Sequence, residues 1–426
     1  TALREATGWG VRDYWFPSIR SLGGAVFVLG AALYPYVYLI ARAAFLEQST
    51  SAVEVGRTLG LTRLQAFLGV AVPMARPAII AGGTLVAMET LADFGAVKYF
   101  DLEVFTTGIY RAWFAYGNPA AAAQLASILL AVVFAVVLIE QASRGQRRYA
   151  SATPSLREIR RWQLPAGRGA MATLICLLPV AVGFLIPAGV LVMMAFDVRD
   201  TLSLARLGTL TGNTALLAIV AAVVAIALAT LVSYAAGRSQ SFTRQWARFT
   251  YLGYATPGVV VGVGLLIVAG AADQAFRAFD PAFGLVVSGS VAILIYAYVV
   301  RFFAVAHGPV DAAFVKLGPR YGEAARTLGL KPRSVLWRVD LPLMRGTMMA
   351  AAALVFVDVM KELPATMILR PFNFDTLATE AFQLATTERL DQAALPSLAI
   401  AAAGLIPVLL LCVGIARARP VRTPLP

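Results

Sequence analysis

Long apolar runs alternate with short polar segments along the whole chain. An α-helix of about 20 apolar residues crosses the hydrocarbon core of a bilayer. Nine such runs lie at 19–44, 77–97, 120–140, 170–196, 212–236, 249–271, 282–306, 346–364 and 394–416. The pattern therefore predicts an all-α integral membrane protein with nine spans. The composition agrees, since 59% of the residues are apolar and only 14% are charged.

One polar segment occurs twice. Residues 54–76 and residues 323–345 align without a gap at a constant offset of 269 positions. The shared residues are Glu54 with Glu323, Arg57–Leu61 with Arg326–Leu330, Pro73 with Pro342, and Arg76 with Arg345. A long repeat in a membrane chain indicates two related halves of one transporter. Alternation of the spans places both copies on one face, so the repeats are parallel.

Basic residues set the predicted orientation. The segment 141–169 carries seven arginines, and alternation places both repeated segments, the loop 237–248 and the C-terminal tail on the same side. With Arg42 and Arg301 assigned to helix ends, most of the 36 Lys and Arg face the cytoplasm. The net charge of +13 is explained in this way, and no nucleic-acid partner is expected.

The arginine-rich segment divides the chain. We predict a first half at 1–140, a cytoplasmic linker at 141–169 and a second half at 170–426. The second half has six spans with the repeated segment after the fourth, whereas the first half has three spans with the segment after the first. The expectation is that the first half lacks three N-terminal helices and that 3+6 spans become 6+6 in the complete protein.

The repeated segment itself predicts a helix, a turn and a second helix. Gly60 and Gly329 suit the turn at a helix end. A second amphipathic piece then leads to Pro73 or Pro342, which is expected to restart the chain for the next span. A short helix pair that protrudes from the membrane with a carboxylate and an arginine can dock in a groove of a soluble partner.

The pattern Glu-(Ala/Val)-(Ala/Gly)-x-x-x-Gly, with Pro thirteen residues after the Gly, resembles the EAA loop of binding-protein-dependent ABC importer permeases. Residues 323–342 fit it closely, whereas the first copy departs at Val55 and Gly56, where the family usually has Ala. The resemblance implies a type I ABC importer fold and loops that enter a cleft of the ATPase subunits. The residues implicated are Glu54, Gly60 and Pro73, and Glu323, Ala324, Ala325, Gly329 and Pro342.

The partners follow from the same resemblance. The sequence has no G-x-x-x-x-G-K-[ST] phosphate loop, so the chain is expected to be a transporter subunit and not an enzyme, without a cofactor of its own. Two loops imply two separate ATPase subunits, which bind the ATP and Mg. An extracytoplasmic solute-binding protein is the third expected partner, and the bacterial plasma membrane is the expected location.

The substrate is suggested by three further stretches. Residues 33–49, 88–100 and 105–114 resemble the ferric-iron permeases of this class. Thiamine, a polyamine or another small solute remain alternatives within the importer class. An ATP-independent secondary carrier is the alternative outside it, although parallel repeats argue against the many carriers with inverted ones.

Acids inside the predicted spans are candidates for the translocation path. Glu89 and Asp93 follow the first repeated segment, and Asp358 and Glu362 follow the second at the same offset of 269. Each pair is spaced i, i+4 and shares a helix face. Intramembrane carboxylates are costly and usually face a cavity or a partner. Two interpretations stay open, a polar contact that fixes helix packing and a lining for a cation; Asp358 is also expected to pair with Lys361.

Other metal chemistry has few candidates. Cys176 and Cys412 both lie in apolar runs, and His307 is the single histidine. No metal site and no disulfide framework are predicted. Gly82-Gly83 and the group Pro257, Gly258, Gly262 and Gly264 are expected to permit close helix packing or a kink.

Overall fold

The computed structural model describes residues 8, 18–47, 55–144, 164–198, 203–236, 251–280, 284–318 and 320–418, and the regular secondary structure in these ranges is helical. The α-helices are α1 Leu22–Glu47, α2 Arg63–Ala66, α3 Val72–Ala92, α4 Gly95–Tyr99, α5 Phe105–Phe114, α6 Pro119–Arg144, α7 Ala166–Val180, α8 Ile186–Asp197, α9 Leu204–Ala236, α10 Tyr251–Ala255, α11 Gly258–Phe279, α12 Val291–Leu317, α13 Arg320–Thr327, α14 Pro332–Val335, α15 Leu341–Met360, α16 Pro364–Leu369, α17 Leu377–Thr386 and α18 Leu390–Ala418.

The prediction of nine spans is confirmed. In the described part of the chain, nine helices are long and apolar enough to cross a membrane. Two of them begin more than ten residues before the apolar runs, at Leu64 and at Pro332, because the second helix of each repeated segment continues into the span. Continuous helix therefore connects each repeated loop to the span that follows it.

The prediction that Pro73 and Pro342 restart the chain is wrong. Each proline lies inside continuous helix, directly after a π-helical turn at Phe67–Ala71 or Leu336–Asp340. The N–H of Val72 bonds to the carbonyl of Phe67, and the N–H of Leu341 bonds to that of Leu336. Proline has no N–H, and its ring collides with the carbonyl four residues earlier in a regular helix. In the wider π-turn the backbone hydrogen bonds join residues five apart, so the helix can continue past the proline.

Helices α9 and α12 are the two most buried spans. The α9 helix packs against α12 and α15, which also pack against each other. Its buried face is rich in alanine, including Ala218, Ala221, Ala225 and Ala229. Small side chains allow membrane helices to approach closely, so van der Waals contact stabilises this three-helix core.

Helix α6 connects the first half to the second. The α6 helix packs against both α3 and α11, while α1 packs against α3. A Cβ on Gly82 would lie 2.9 Å from the Cα of Val37, so the predicted close approach is confirmed there. A Cβ on Gly83 would have no atom within 4 Å, so Gly83 is not needed for close helix packing.

Candidate functional site

The repeated segments fold in the same way around their glycines. Gly60 and Gly329 have φ angles of 90° and 87°, in the left-handed region. Leu61 N–H donates to Gly56 O at 3.2 Å and Gly60 N–H donates to Arg57 O at 3.1 Å. The second copy repeats both bonds, from Leu330 to Ala325 at 3.1 Å and from Gly329 to Arg326 at 3.0 Å. This is the Schellman motif, and it confirms the predicted turn at each glycine.

Each turn carries an exposed leucine. The exposed fractions of Leu59 and Leu328, which are equivalent in the repeat, are 79% and 85%. These leucines stand outside the candidate spans and are the most exposed apolar side chains of their segments. An apolar side chain presented by a short helix pair in this way suits insertion into a groove of another protein.

The other predicted loop residues divide between surface and interior. Glu323 and Ala324 are exposed at the start of α13, whereas Ala325 is buried. Pro73 and Pro342 are exposed. Glu54 lies outside the described residues. Gly56, where the family usually has Ala, is buried, and a Cβ there would lie 3.4 Å from Leu61 Cδ1.

The second loop is also tied to the helical core. The hydroxyl of Tyr234, near the end of α9, donates to the carbonyl of Pro332 at 2.8 Å. The Tyr234 ring also contacts Phe314 of α12, with 6.3 Å between ring centroids. Displacement of the loop would therefore act on α9 through Tyr234 as well as on α15 through the continuous helix.

Two repeat-related acids come together between the halves. Glu89 of α3 accepts a hydrogen bond from the Tyr254 hydroxyl of α10 at 3.0 Å. Lys361 Nζ lies 3.0 Å from Asp358 Oδ1 of α15, which confirms the predicted pair. Tyr254 and Lys361 both lie within electrostatic range of Glu89 and of Asp358. We call Glu89, Asp358, Lys361 and Tyr254 the midline cluster.

The other two acids hold short helices in place. Asp93 Oδ1 accepts from the N–H of Val97 at 3.0 Å, and Glu362 Oε1 accepts from the N–H of Ala365 at 3.0 Å. These N–H groups lie in the first turns of α4 and α16, where they have no partner within the helix. Asp93 and Glu362 thus mark the same break in each half, where the long helix ends and a short one begins.

Arg301 is placed differently from the prediction. It was assigned to a cytoplasmic helix end, but α12 extends from Val291 to Leu317 and Arg301 lies inside it, buried. Its guanidinium pairs with the Glu362 carboxylate. The Tyr298 hydroxyl, one turn earlier, bonds to Thr366 Oγ1 at 2.7 Å, and Thr366 Oγ1 donates to Glu362 O at 2.6 Å. The assignment was wrong because the apolar run 282–306 misplaced the helix.

Gly258 makes room for this ion pair. A Cβ at that position would collide with Arg301 Nη1 and would lie 2.6 Å from Glu362 Oε1. A Cβ on Gly262, one turn later, would lie 3.0 Å from the Cβ of Ile368 in α16. The predicted packing role is confirmed for these two glycines, whereas Gly264 has nothing within 4 Å.

Gly258→Ala is therefore expected to lower the free energy of unfolding by about 1–3 kcal/mol, because the added methyl displaces a buried ion pair. Gly264→Ala is the matched control in the same helix and is expected to change little. Thermal unfolding of the purified protein in detergent would compare them. Equal midpoints for the two variants would contradict the close approach at Gly258.

Sequence reasoning missed Arg301 and Tyr254. An arginine ten positions into a 27-residue apolar helix was a signal for a buried partner. Tyr254 carried no comparable signal, since its role depends on the approach of α3 from the other half. Among the described residues, no group of three or more His, Cys, Asp or Glu side chains is placed to hold a metal ion.

Comparison with known proteins identifies the family of this chain. Residues 15–148 and 231–419 match the family described as the binding-protein-dependent transport system inner membrane component. The chain belongs to this family. The permease is thus a multi-pass inner-membrane protein, and the predicted all-α fold of a type I ABC importer agrees with its membership.

Similar proteins include permeases for ferric iron. The permease is 25% identical to the Fe(3+)-transport system permease protein of Haemophilus influenzae, over 84% of this chain and 70% of that protein. It is 25% identical to the ferric transport system permease protein of Actinobacillus pleuropneumoniae, over 90% of this chain but only 56% of that protein. A shorter match, 35% identical over 23% of this chain and 37% of the other, is to the sulfate transport system permease protein CysT of Salmonella typhimurium.

Proposed function

We propose that this permease is the membrane subunit of an ATP-driven importer of ferric iron, coupled to two separate ATPase subunits through its repeated loops. The observation that carries the proposal is the pair of loops with one hydrogen-bond pattern and an exposed leucine at each turn. The similarity to ferric permeases along most of the chain supports the substrate.

Coupling between the ATPases and the permease begins at the two turns that carry the exposed leucines. Leu59 and Leu328 insert into grooves of the two ATPases, and Glu323 contributes a charged contact beside Leu328. ATP and Mg are bound by those partners. When ATP draws the ATPases together, the loops move with them. Continuous helix carries that movement past Pro73 and Pro342 into the spans, and Tyr234 carries it to α9.

The cargo passes between the halves. A binding protein delivers the iron on the outer side, and the midline cluster offers it carboxylate oxygens from Glu89 and Asp358 and the hydroxyl of Tyr254. Ferric iron is a hard cation that prefers oxygen ligands. The path alternates between outward and inward access, and the difference in ATP affinity between these two states supplies the bias.

Other cargoes give different expectations. The partial match to a sulfate permease favours an anion, but two carboxylates in the midline cluster repel one. Thiamine or a polyamine would suit a negative path and remains the second candidate. A secondary carrier would work without ATP.

Uptake by whole cells separates these cases. Cells that lack the complete gene are given radioactive ferric iron, before and after the gene is restored, with and without ATP depletion. We expect restoration to recover iron uptake and ATP depletion to remove it. Uptake that persists without ATP would contradict the importer, and restored uptake of thiamine or sulfate with no effect on iron would contradict the substrate.

A further inference from the structure

The charges of the midline cluster are unequal between the halves. Glu89 and Asp358 are equivalent in the repeat, but the counterpart of Lys361 is Ala92, which has no charge. The cluster therefore holds two carboxylates and one ammonium, which pairs with Asp358 at 3.0 Å. The formal charge of the cluster is one negative charge with Lys361 present and two without it.

Lys361 combines a fixed backbone with a partly exposed side chain. Its Nζ lies 3.0 Å from Asp358 Oδ1, and 46% of its side chain is exposed against 18% for Asp358. Its backbone is fixed at the end of α15, where its N–H donates to the carbonyl of Val359. The ammonium thus covers the carboxylate from the accessible side, and a lysine stem is long enough to swing away.

We propose that Lys361 is a tethered counter-cation that sets the charge selectivity of the pathway. It occupies the carboxylates when the path is empty, and a cationic cargo displaces it. This inference rests on the proposed function, in which the midline cluster receives the cargo.

The exchange of the Lys361 ammonium for a cationic cargo makes the pathway selective for the charge of the cargo. A cation of charge one gains little over the ammonium that it replaces, because both make a similar Coulomb interaction with the same carboxylates. A multiply charged cation gains more from the same oxygens, and hard oxygen donors favour a hard ion. The cargo class that this arrangement selects is a multivalent, oxygen-seeking cation, with monovalent ions excluded by Lys361.

The test uses Tb³⁺, a trivalent and redox-inert ion that prefers oxygen ligands and whose luminescence is excited by energy transfer from a nearby tyrosine. The complete permease is purified in detergent and titrated with Tb³⁺. Lys361→Met is expected to bind Tb³⁺ roughly tenfold more tightly than the unmodified protein, since the competing charge is gone. Lys361→Gln, which keeps a polar head beside Asp358, is expected to do the same and serves if the methionine variant does not fold.

Three controls decide where the gain comes from. Lys361→Arg keeps the charge and is expected to bind as the unmodified protein does, as is Lys98→Met, which removes a lysine from α4 outside the cluster. Adding Glu89→Gln or Asp358→Asn to Lys361→Met is expected to abolish the gain. An unchanged affinity in both Lys361→Met and Lys361→Gln would overturn the proposal, as would a gain that survives loss of both carboxylates.

The luminescence result is independent of the transported solute. If ferric uptake is absent in cells that carry the unmodified gene, the proposed function fails, whatever Tb³⁺ does. If uptake is present and Tb³⁺ affinity is insensitive to residue 361, the counter-cation fails and the importer stands.

Discussion

Glu323→Lys is expected to abolish ATP-driven uptake while the permease remains folded and in the membrane. Glu323 is exposed in the first turn of α13, five positions before the protruding Leu328, so the substitution leaves the buried helical core intact. Reversal of a charge at a docking surface costs the complex about 2–5 kcal/mol, which lowers the ATPase affinity more than tenfold. The measurement is uptake per molecule of permease in the membrane, with co-purification of the ATPase as a second readout.

Glu103→Lys is the matched control for this charge reversal. Glu103 is also an exposed acid, 78% accessible, but it lies between α4 and α5, at the opposite end of the α3 span from the repeated loop. Its only described ion pair is with Arg111 at 2.7 Å, and exposed pairs of this kind contribute little to stability. Normal uptake is expected from Glu103→Lys. Normal ATP-driven uptake from Glu323→Lys as well would refute the assignment of the loop to coupling.

Arg301→Met is expected to produce the largest loss of stability. The substitution leaves the Glu362 carboxylate buried without its cationic partner, which costs about 3–5 kcal/mol. Glu362 also holds α16 through the N–H of Ala365, so α16 is expected to loosen first. Thermal unfolding in detergent and the amount of protein recovered from membranes measure the effect.

The double variant Arg301→Met with Glu362→Gln separates a charge effect from a packing effect. Removing both charges avoids the uncompensated carboxylate, so the double variant is expected to be more stable than Arg301→Met alone. A double variant that is less stable than either single variant would contradict the ion pair as the source of the loss.

The sequence was sufficient where one local pattern determines the structure. Apolar runs located the nine spans, and Gly60 and Gly329 located two helix ends, because a left-handed residue favours glycine wherever it occurs. The pair Asp358–Lys361 followed from its spacing of i, i+3 on one helix end.

The sequence was insufficient where two distant segments meet. Arg301 and Glu362 are 61 positions apart, and Glu89 and Tyr254 are 165 apart. The first pair forms because α12 packs against α15 and α16. The second forms because α3 approaches α10. The apolar run 282–306 also ended before α12 does, at Leu317, because polar residues inside a helix lower the local hydrophobicity in the same way as a helix end does. The π-turns before Pro73 and Pro342 had no signal beyond the prolines themselves.

The four intramembrane acids have two different roles, which only the structure distinguishes. Asp93 and Glu362 fill a structural need, since each caps a short helix. Glu89 and Asp358 share the midline cluster with a lysine and a tyrosine and are the pair that we place on the path. The sequence predicted two equivalent pairs of acids, but it could not assign different tasks to the members of each pair.

The most direct test of the account is transport in proteoliposomes that contain the complete permease and its two ATPases. Ferric iron is supplied on its binding protein outside, and ATP is enclosed inside. The account predicts iron accumulation that requires both ATP and the binding protein and that is lost in Glu323→Lys. Accumulation without ATP, or no accumulation of iron when the assembled complex hydrolyses ATP in response to a different loaded binding protein, would contradict it.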